Sequence, residues 1–334
     1  MTIDQKLQFT SELQLSSRFS NEIAHFWQQG SFADFRGIND IRINYAAFSR
    51  GENKQCLVIV PGRCEGYLKY KEVAYDLYLQ GYDIFIIDHR GQGLSERMLP
   101  NKFKGYVENF DNYADDLNIF ISTIVSNHCK DKPYLLAHSM GGAIAARYLQ
   151  KHQNTVKASV LSSPMIAINN GGIPRWASNS LVKLSHKLNS FLSDTPWYFL
   201  GQKDFSQHDF ENNRLMQSPL RYQQFIALYK EKIELQLGGV TIHWLHEAIQ
   251  AKEKIFAHIE KLNTPTLVLQ AGDDTVIDNR AQNEFCQQLH FHNPLLCLEG
   301  KPVIIEGARH ELLFETDRYR NAALQQIIAW FKKY

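Results

Sequence analysis

Cysteine is scarce in this chain: Cys56, Cys64, Cys129, Cys286 and Cys297 are scattered, and no C-x-x-C pair occurs. That pattern favours reduced thiols over disulfides or zinc, and no metal is expected. Charge of one sign is missing too, since Lys plus Arg is 36, Asp plus Glu is 35 and the net charge is +1. No bulk field draws nucleic acid or an anionic surface, so no nucleic-acid partner is expected. No apolar run approaches the roughly 18 residues of a spanning helix. Met1 to Leu13 has neither the basic start nor the apolar stretch of a leader, and a cytoplasmic protein is expected. Internal repeats, low-complexity tracts and Pro/Ser linkers are absent. At 334 residues, the chain reads as one large α/β domain carrying an insertion.

What is there is an alternation of short apolar runs with helical patterns. Ile41 to Phe48 alternates and predicts an edge strand, while Cys56 to Val60 and Ile84 to Ile87 are continuous apolar runs, as buried parallel strands require. Tyr67 to Gln80, closed by Gly81, predicts the crossover helix between them. Asp111 to His128 predicts another helix, and Tyr134 to Ala137, Ala158 to Ser162, Thr266 to Gln270 and Val303 to Ile305 complete the strands. Asp317 to Lys333 is an amphipathic closing helix. Phe19, Ile23, Phe26 and Trp27 form one apolar helical face near the N-terminus, expected to pack on its own domain. Strands alternating with helices predict a mostly parallel sheet covered on both faces.

One segment breaks the rhythm. Between about Met165 and Glu260 no buried-strand run occurs, only helical patterns (Leu181 to Leu192, Arg221 to Leu235, His243 to Ile259) separated by Gly and Pro. The expected organisation is an α/β core of residues 1–164 and 261–334 with a helical cap at 165–260. The cap holds Trp176, Trp197 and Trp244 with several Tyr and Phe, some of which are expected to line an apolar substrate pocket.

The chemistry centres on Ala137-His138-Ser139-Met140-Gly141-Gly142, where a strand turns sharply into an Ala-rich helix. Crowded backbones at such a turn demand small residues two before and two after the Ser, and Ala137 and Gly141 meet that demand. A Ser hydroxyl needs a base, and the base needs a third group to hold its tautomer. Asp274, two past the turn Gly272 that follows a predicted strand, is the expected acid, with Asp273 its rival and Asp278 a helix cap. His310, in a loop behind Gly307 and before the last helix, is the expected base. His89 and His138 read as packed or hydrogen-bonded local groups, and His243 and His246 as cap residues within reach of substrate. An acyl-transfer oxyanion needs fixed N–H donors; Met140 and Arg63, in the turn Pro61-Gly62-Arg63, are the expected pair.

These pieces resemble the serine-hydrolase branch of the α/β-hydrolase superfamily, and more narrowly the monoacylglycerol lipase and bacterial lysophospholipase group. Pro61-Gly62-Arg63-Cys64-Glu65-Gly66 is similar to the group's His-Gly-x-x-Glu-His oxyanion loop, with Pro61 and Gly66 in place of the two His. Asp88-His89-Arg90-Gly91-Gln92-Gly93-Leu94-Ser95 resembles its Asp-x-Arg-Gly-His-Gly-x-Ser loop, with Gln92 in place of the His. The elbow at Ser139 and the acid and His loops match as well, and Gly238-Gly239-Val240-Thr241-Ile242-His243-Trp244 looks most like lysophospholipases associated with the bacterial inner membrane. The resemblance implies an α/β-hydrolase fold, no cofactor and no metal, a small-molecule lipid ester as substrate, and peripheral contact with a membrane as an added option. It implies two-step acyl transfer: His310, oriented by Asp274, takes the Ser139 proton, an acyl-enzyme forms, and water frees the acid. Two other classes stay open: an amide hydrolase such as an aminopeptidase, whose amine anchor would come from Asp204, Asp209 or Glu211, and a non-catalytic binding protein. The Arg63 side chain also has two readings, a contact to a lysophospholipid phosphate or an ion pair with a nearby carboxylate such as Glu65.

Overall fold

The computed structural model describes residues 7–51, 54–207 and 209–334; the first six residues, part of the stretch read for a leader, lie outside these. Eight strands form one sheet: β1 (Ser31–Arg36), β2 (Arg42–Phe48), β3 (Gln55–Val60), β4 (Tyr82–Ile87), β5 (Tyr134–His138), β6 (Ser159–Ser162), β7 (Thr266–Ala271) and β8 (Val303–Ile305). Their order is β1-β2-β4-β3-β5-β6-β7-β8. β2 runs antiparallel to both β1 and β4, and all the later neighbours pair in parallel. The central strands are buried along almost their whole length, which is what their continuous Val, Ile and Leu runs demand. This is the α/β-hydrolase fold.

Helices cover both faces. On one lie α4 (Asp111–Thr123), α5 (Met140–Lys151), α8 (Ile242–Ala257) and α9 (Asn279–His292); on the other lie α3 (Lys71–Leu79) and α10 (Asp317–Lys333). Near the N-terminus the chain forms two short helices, α1 (Leu15–Ser20) and α2 (Glu22–Gln28), which break at Asn21. Ile23, Phe26 and Trp27 are buried, and Phe26 stacks on Phe48 at 4.4 Å, so this face packs on its own domain. Between β6 and β7 the chain forms α6 (Arg175–Leu192), α7 (Pro219–Glu231) and α8 with no strand of the sheet.

Two expectations need correction. β2 is not the edge strand: β1, six mostly exposed residues, pairs outside it in full register from Ser31↔Ala47 to Arg36↔Arg42. Cys56 and Cys129 are not free thiols but a disulfide, with Cα atoms 5.9 Å apart. The cause is topological, since β3 and β5 are parallel neighbours, so the start of one meets the loop that feeds the other. Cysteine usage therefore gives no support to a reducing compartment. Among the described residues no helix is long and apolar enough to cross a membrane.

Candidate active site

The end of β5 delivers Ser139 in a backbone conformation that L-residues rarely adopt (φ 51°, ψ −116°), directly before α5. The small residues around it have a visible reason. A Cβ on Gly141 would lie 2.2 Å from the Val60 carbonyl oxygen and 2.5 Å from that of Pro61, so the elbow is pressed against the end of β3. Ala137, where the family motif has Gly, is fully buried among the core side chains, so its methyl fills space and obstructs nothing.

Three side chains from three loops meet at that elbow. His310 Nε2 lies 2.8 Å from Ser139 Oγ, and its Nδ1 lies 2.7 Å from Asp274 Oδ2. The other Asp274 oxygen accepts from the N–H groups of Val276 (2.8 Å) and Ile277 (3.0 Å). Burial works to raise the Asp274 carboxyl, but the His310 contact and those two N–H bonds outweigh it and hold the group below its ordinary value. Asp273 has no part in this chain of contacts. Asp278 accepts from Arg280 N and caps α9, and it pairs with Arg175 at 2.6 Å. Met140 is the first residue of α5 and Arg63 sits in the turn after β3, and among the described residues no group accepts from either N–H.

A buried polar cluster lies beneath the turn after β3 and the loops that carry Ser139 and His310. Glu65 accepts from Gly62 N (2.5 Å), Tyr70 Oη (2.6 Å) and Lys69 Nζ (2.7 Å), and it faces His138 Nδ1 at 3.3 Å. Lys69 Nζ also donates to Glu311 at 2.6 Å, next to His310. Burial opposes charge on each group, yet the mutual pairing prevails: it holds Glu65 well below the ordinary carboxylate range and raises Lys69 and His138 above theirs. Gln92, where the family has His, donates to the carbonyls of Gly62 (2.7 Å) and Glu65 (2.9 Å). His89 is a buried, hydrogen-bonded local group, its Nε2 3.1 Å from the Pro61 carbonyl. Sequence reasoning missed Lys69; its i,i+4 spacing from Glu65 was the available signal.

Ser139 and His310 open into a cavity of about 800 Å³ whose walls include Ile166, Ile173, Leu181, Phe199, Val240 and Trp244. Of the three tryptophans expected there, only Trp244 lines it. Trp176 (75% exposed) and Trp197 (38% exposed) lie outside. On α6, Arg175, Ala177, Ser178 and Leu181 face the cavity, which turns Trp176 to the opposite side. His243 and His246 are also outside it: His243 contacts the Glu108 carbonyl (3.0 Å) and His186 (3.0 Å), and His246 stacks on His186. Glu65 is fully engaged by its own partners, which removes the ion-pair reading of Arg63. Arg63 instead donates to the Gly238 carbonyl (2.5 Å) and to Cys64 Sγ (3.1 Å), and its guanidinium faces the Trp244 ring at 5.4 Å.

Comparison with known proteins agrees with this architecture. The family profile described as serine aminopeptidase, S33, matches residues 51–317. The chain belongs to that family. It is 37% identical to lysophospholipase L2 of Escherichia coli K12, covering 93% of this chain and 90% of the relative. It is 26% identical to the monoglyceride lipase of Rattus norvegicus over 84% of this chain and 83% of that one. A soluble variant of monoglyceride lipase from Saccharomyces cerevisiae, solved with a substrate analog, superposes with a TM-score of 0.67 at 19% identity, covering 91% and 96% of the two chains. This family member is a carboxylic ester hydrolase.

Proposed function

We propose that this enzyme hydrolyses the esters of monoacyl lipids, lysophospholipids or monoacylglycerols, through an acyl-enzyme on Ser139. The observation that carries the reading is a hydrogen-bonded Ser139–His310–Asp274 chain opening into an apolar cavity of about 800 Å³. In the first step His310 takes the Ser139 proton as the hydroxyl oxygen attacks the ester carbonyl. The oxyanion is held by the N–H groups of Met140 and Arg63, each such donor being worth about 3 kcal/mol in the transition state. The imidazolium, kept in orientation by the Asp274 carboxylate, protonates the departing alcohol. Water deprotonated by the same His then attacks the acyl-enzyme, and the fatty acid leaves.

The reading divides the chain into a catalytic core, 1–164 and 261–334, and a cap, 165–260, which supplies most of the acyl-chain surface. Peripheral contact with a membrane belongs to the same reading, with the exposed apolar face of α6 as the contacting surface. An aminopeptidase would need a carboxylate at the substrate amine, but Asp204, Asp209 and Glu211 lie outside the cavity. Its lining carboxylates among the described residues, Glu65 and Glu311, are already paired with Lys69. That favours the ester over the amide. A complete triad geometry likewise favours catalysis over mere binding.

The test is a panel of p-nitrophenyl esters from acetate to decanoate, beside monoacylglycerol, lysophosphatidylethanolamine and aminoacyl anilides. Rates that climb with chain length and extend to the monoacyl lipids are expected. Release of amine from the anilides with inert lipids would overturn the reading.

A further inference from the structure

A second cavity, of about 420 Å³, lies on the far side of Arg63 and Cys64 from Ser139. The two share Arg63, Cys64, Gln202 and Leu215 as a common wall. Apolar side chains line both, Phe205, Phe225, Ile226 and Leu237 among them in the second, and the second adds Lys203, Gln207, Asn212, Asn213 and Arg214. Its lining cations are Arg63, Lys203 and Arg214, against the single carboxylate of Asp204. That carboxylate is already engaged by Tyr198 Oη and by Asn101 at 3.0 Å. Among the described residues the Lys203 and Arg214 side chains make no ion pair and no hydrogen bond.

The Gly238-Gly239 stretch, which the catalytic steps leave unused, lines the second cavity beside Arg63. A Cβ on Gly238 would lie 2.7 Å from the Lys203 carbonyl oxygen and 2.7 Å from Phe205 N, and one on Gly239 would lie 2.6 Å from the Gln202 side chain. Only glycine lets this strand seat directly against residues 202–205, where Gly239 N donates to the Lys203 carbonyl at 2.8 Å. On the other side, a Cβ on Gly105 would lie 2.5 Å from Arg63 Nη2. The guanidinium therefore sits in a slot made by Gly105 and Gly238. Its Nε is buried and has no partner, and one Nη is spent on a thiol, a poor acceptor. A cation held this firmly with donors in reserve suits an anion at the junction of the two cavities.

We infer that this second cavity is the head-group site, in which the phosphate of a lysophospholipid is held by Arg63, Arg214 and Lys203 while its acyl chain fills the apolar cavity. The inference rests on the monoacyl-ester reading above. It assigns the alcohol side of the scissile ester to the cavity that carries Lys203 and Arg214 and the acyl side to the other, with Arg63 at the boundary.

The test uses Arg214→Gln, Lys203→Gln and the double variant in the full chain, with lysophosphatidylethanolamine and monoacylglycerol of one acyl length. The ratio of kcat/KM for the phospholipid to that for the neutral lipid should fall roughly tenfold or more for each charge-assisted hydrogen bond removed. To exclude an effect of charge on lipid aggregates, glycerophosphoethanolamine is titrated as an inhibitor of p-nitrophenyl butyrate hydrolysis in solution. Its inhibition constant should rise by about the same factor in the double variant. A ratio and an inhibition constant both within twofold of the parent protein would overturn the assignment. Equal inhibition by inorganic phosphate at the same ionic strength would overturn it too, by reducing the cavity to a general anion trap. Failure of the parent protein to cleave either lipid would instead sink the ester reading on which the inference stands.

Discussion

The two walls of the Ser139 cavity are made in opposite ways. The reaction wall is buried and polar, and almost every charged group in it has a named partner: Asp274 has three, Glu65 four, and Lys69 is shared between two carboxylates. The acyl wall is apolar, and on α6 only Val182 and Asn189 are buried, while Leu184, Leu188 and Phe191 face outward. Within the insertion the same contrast recurs. α7 is clamped to the core by the buried Arg221, which reaches Glu72 at 2.9 Å and Asp317 at 2.8 Å, whereas α6 is tied down at its first residue, where the partly exposed Arg175 pairs with Asp278 at 2.6 Å. Chemistry needs atoms held to fractions of an ångström, whereas selecting an acyl chain needs only an apolar surface of sufficient length.

Substitutions that disarm the reaction wall should have the largest effect. Ser139→Ala and His310→Ala should each remove nearly all ester hydrolysis, and the double variant should be little worse, because nucleophile and base act as a unit. Asp274→Asn should be severe but milder, and Asp273→Asn should change kcat less than threefold; the reverse order would move the acid by one residue. Next comes Lys69→Met, which leaves two carboxylates buried without their cation. Loss of one partner of a buried pair costs about 3–5 kcal/mol, so thermal unfolding should shift down by several degrees. A midpoint equal to that of the parent protein would show that the cluster is not the support it is taken for.

On the acyl wall the effects should be selective. Each buried methylene is worth about 0.8 kcal/mol, close to fourfold in kcat/KM, so the rise with chain length should stop earlier in Ala248→Phe, which fills part of the cavity from α8. An unshifted optimum would remove α8 from the acyl site. The smallest effect is expected at Leu184→Ser on the outer face of α6. Exposed substitutions usually stay within about 0.5 kcal/mol, so stability and the turnover of soluble esters should barely move. A large loss of stability would mean that this face is covered within the fold.

The same contrast governs what could be read from the sequence. Ser139, Asp274 and His310 were legible because each lies at the end of a strand and obeys local rules: small residues at the elbow, a turn glycine, chain order. The strands from β3 onward were legible by their continuous apolar runs, and β1 was not, since a short polar edge strand has no pattern of its own. The Cys56–Cys129 bridge and the Glu65–Lys69–Glu311 cluster depend on which strands and loops become neighbours, which spacing along the chain does not reveal. Aromatic content marked the insertion as a pocket wall, but without helix orientation it could not separate Trp244, which lines the cavity, from Trp176 and Trp197, which do not.

The central claim is that Ser139 is the nucleophile, activated by His310 and Asp274. Its most direct measurement is treatment with a fluorophosphonate probe followed by mass spectrometry of the labelled peptide. A single adduct on Ser139 is expected in the parent protein, with no adduct in Ser139→Ala and slow labelling in His310→Ala. Label on another serine, or full labelling of Ser139→Ala, would contradict it.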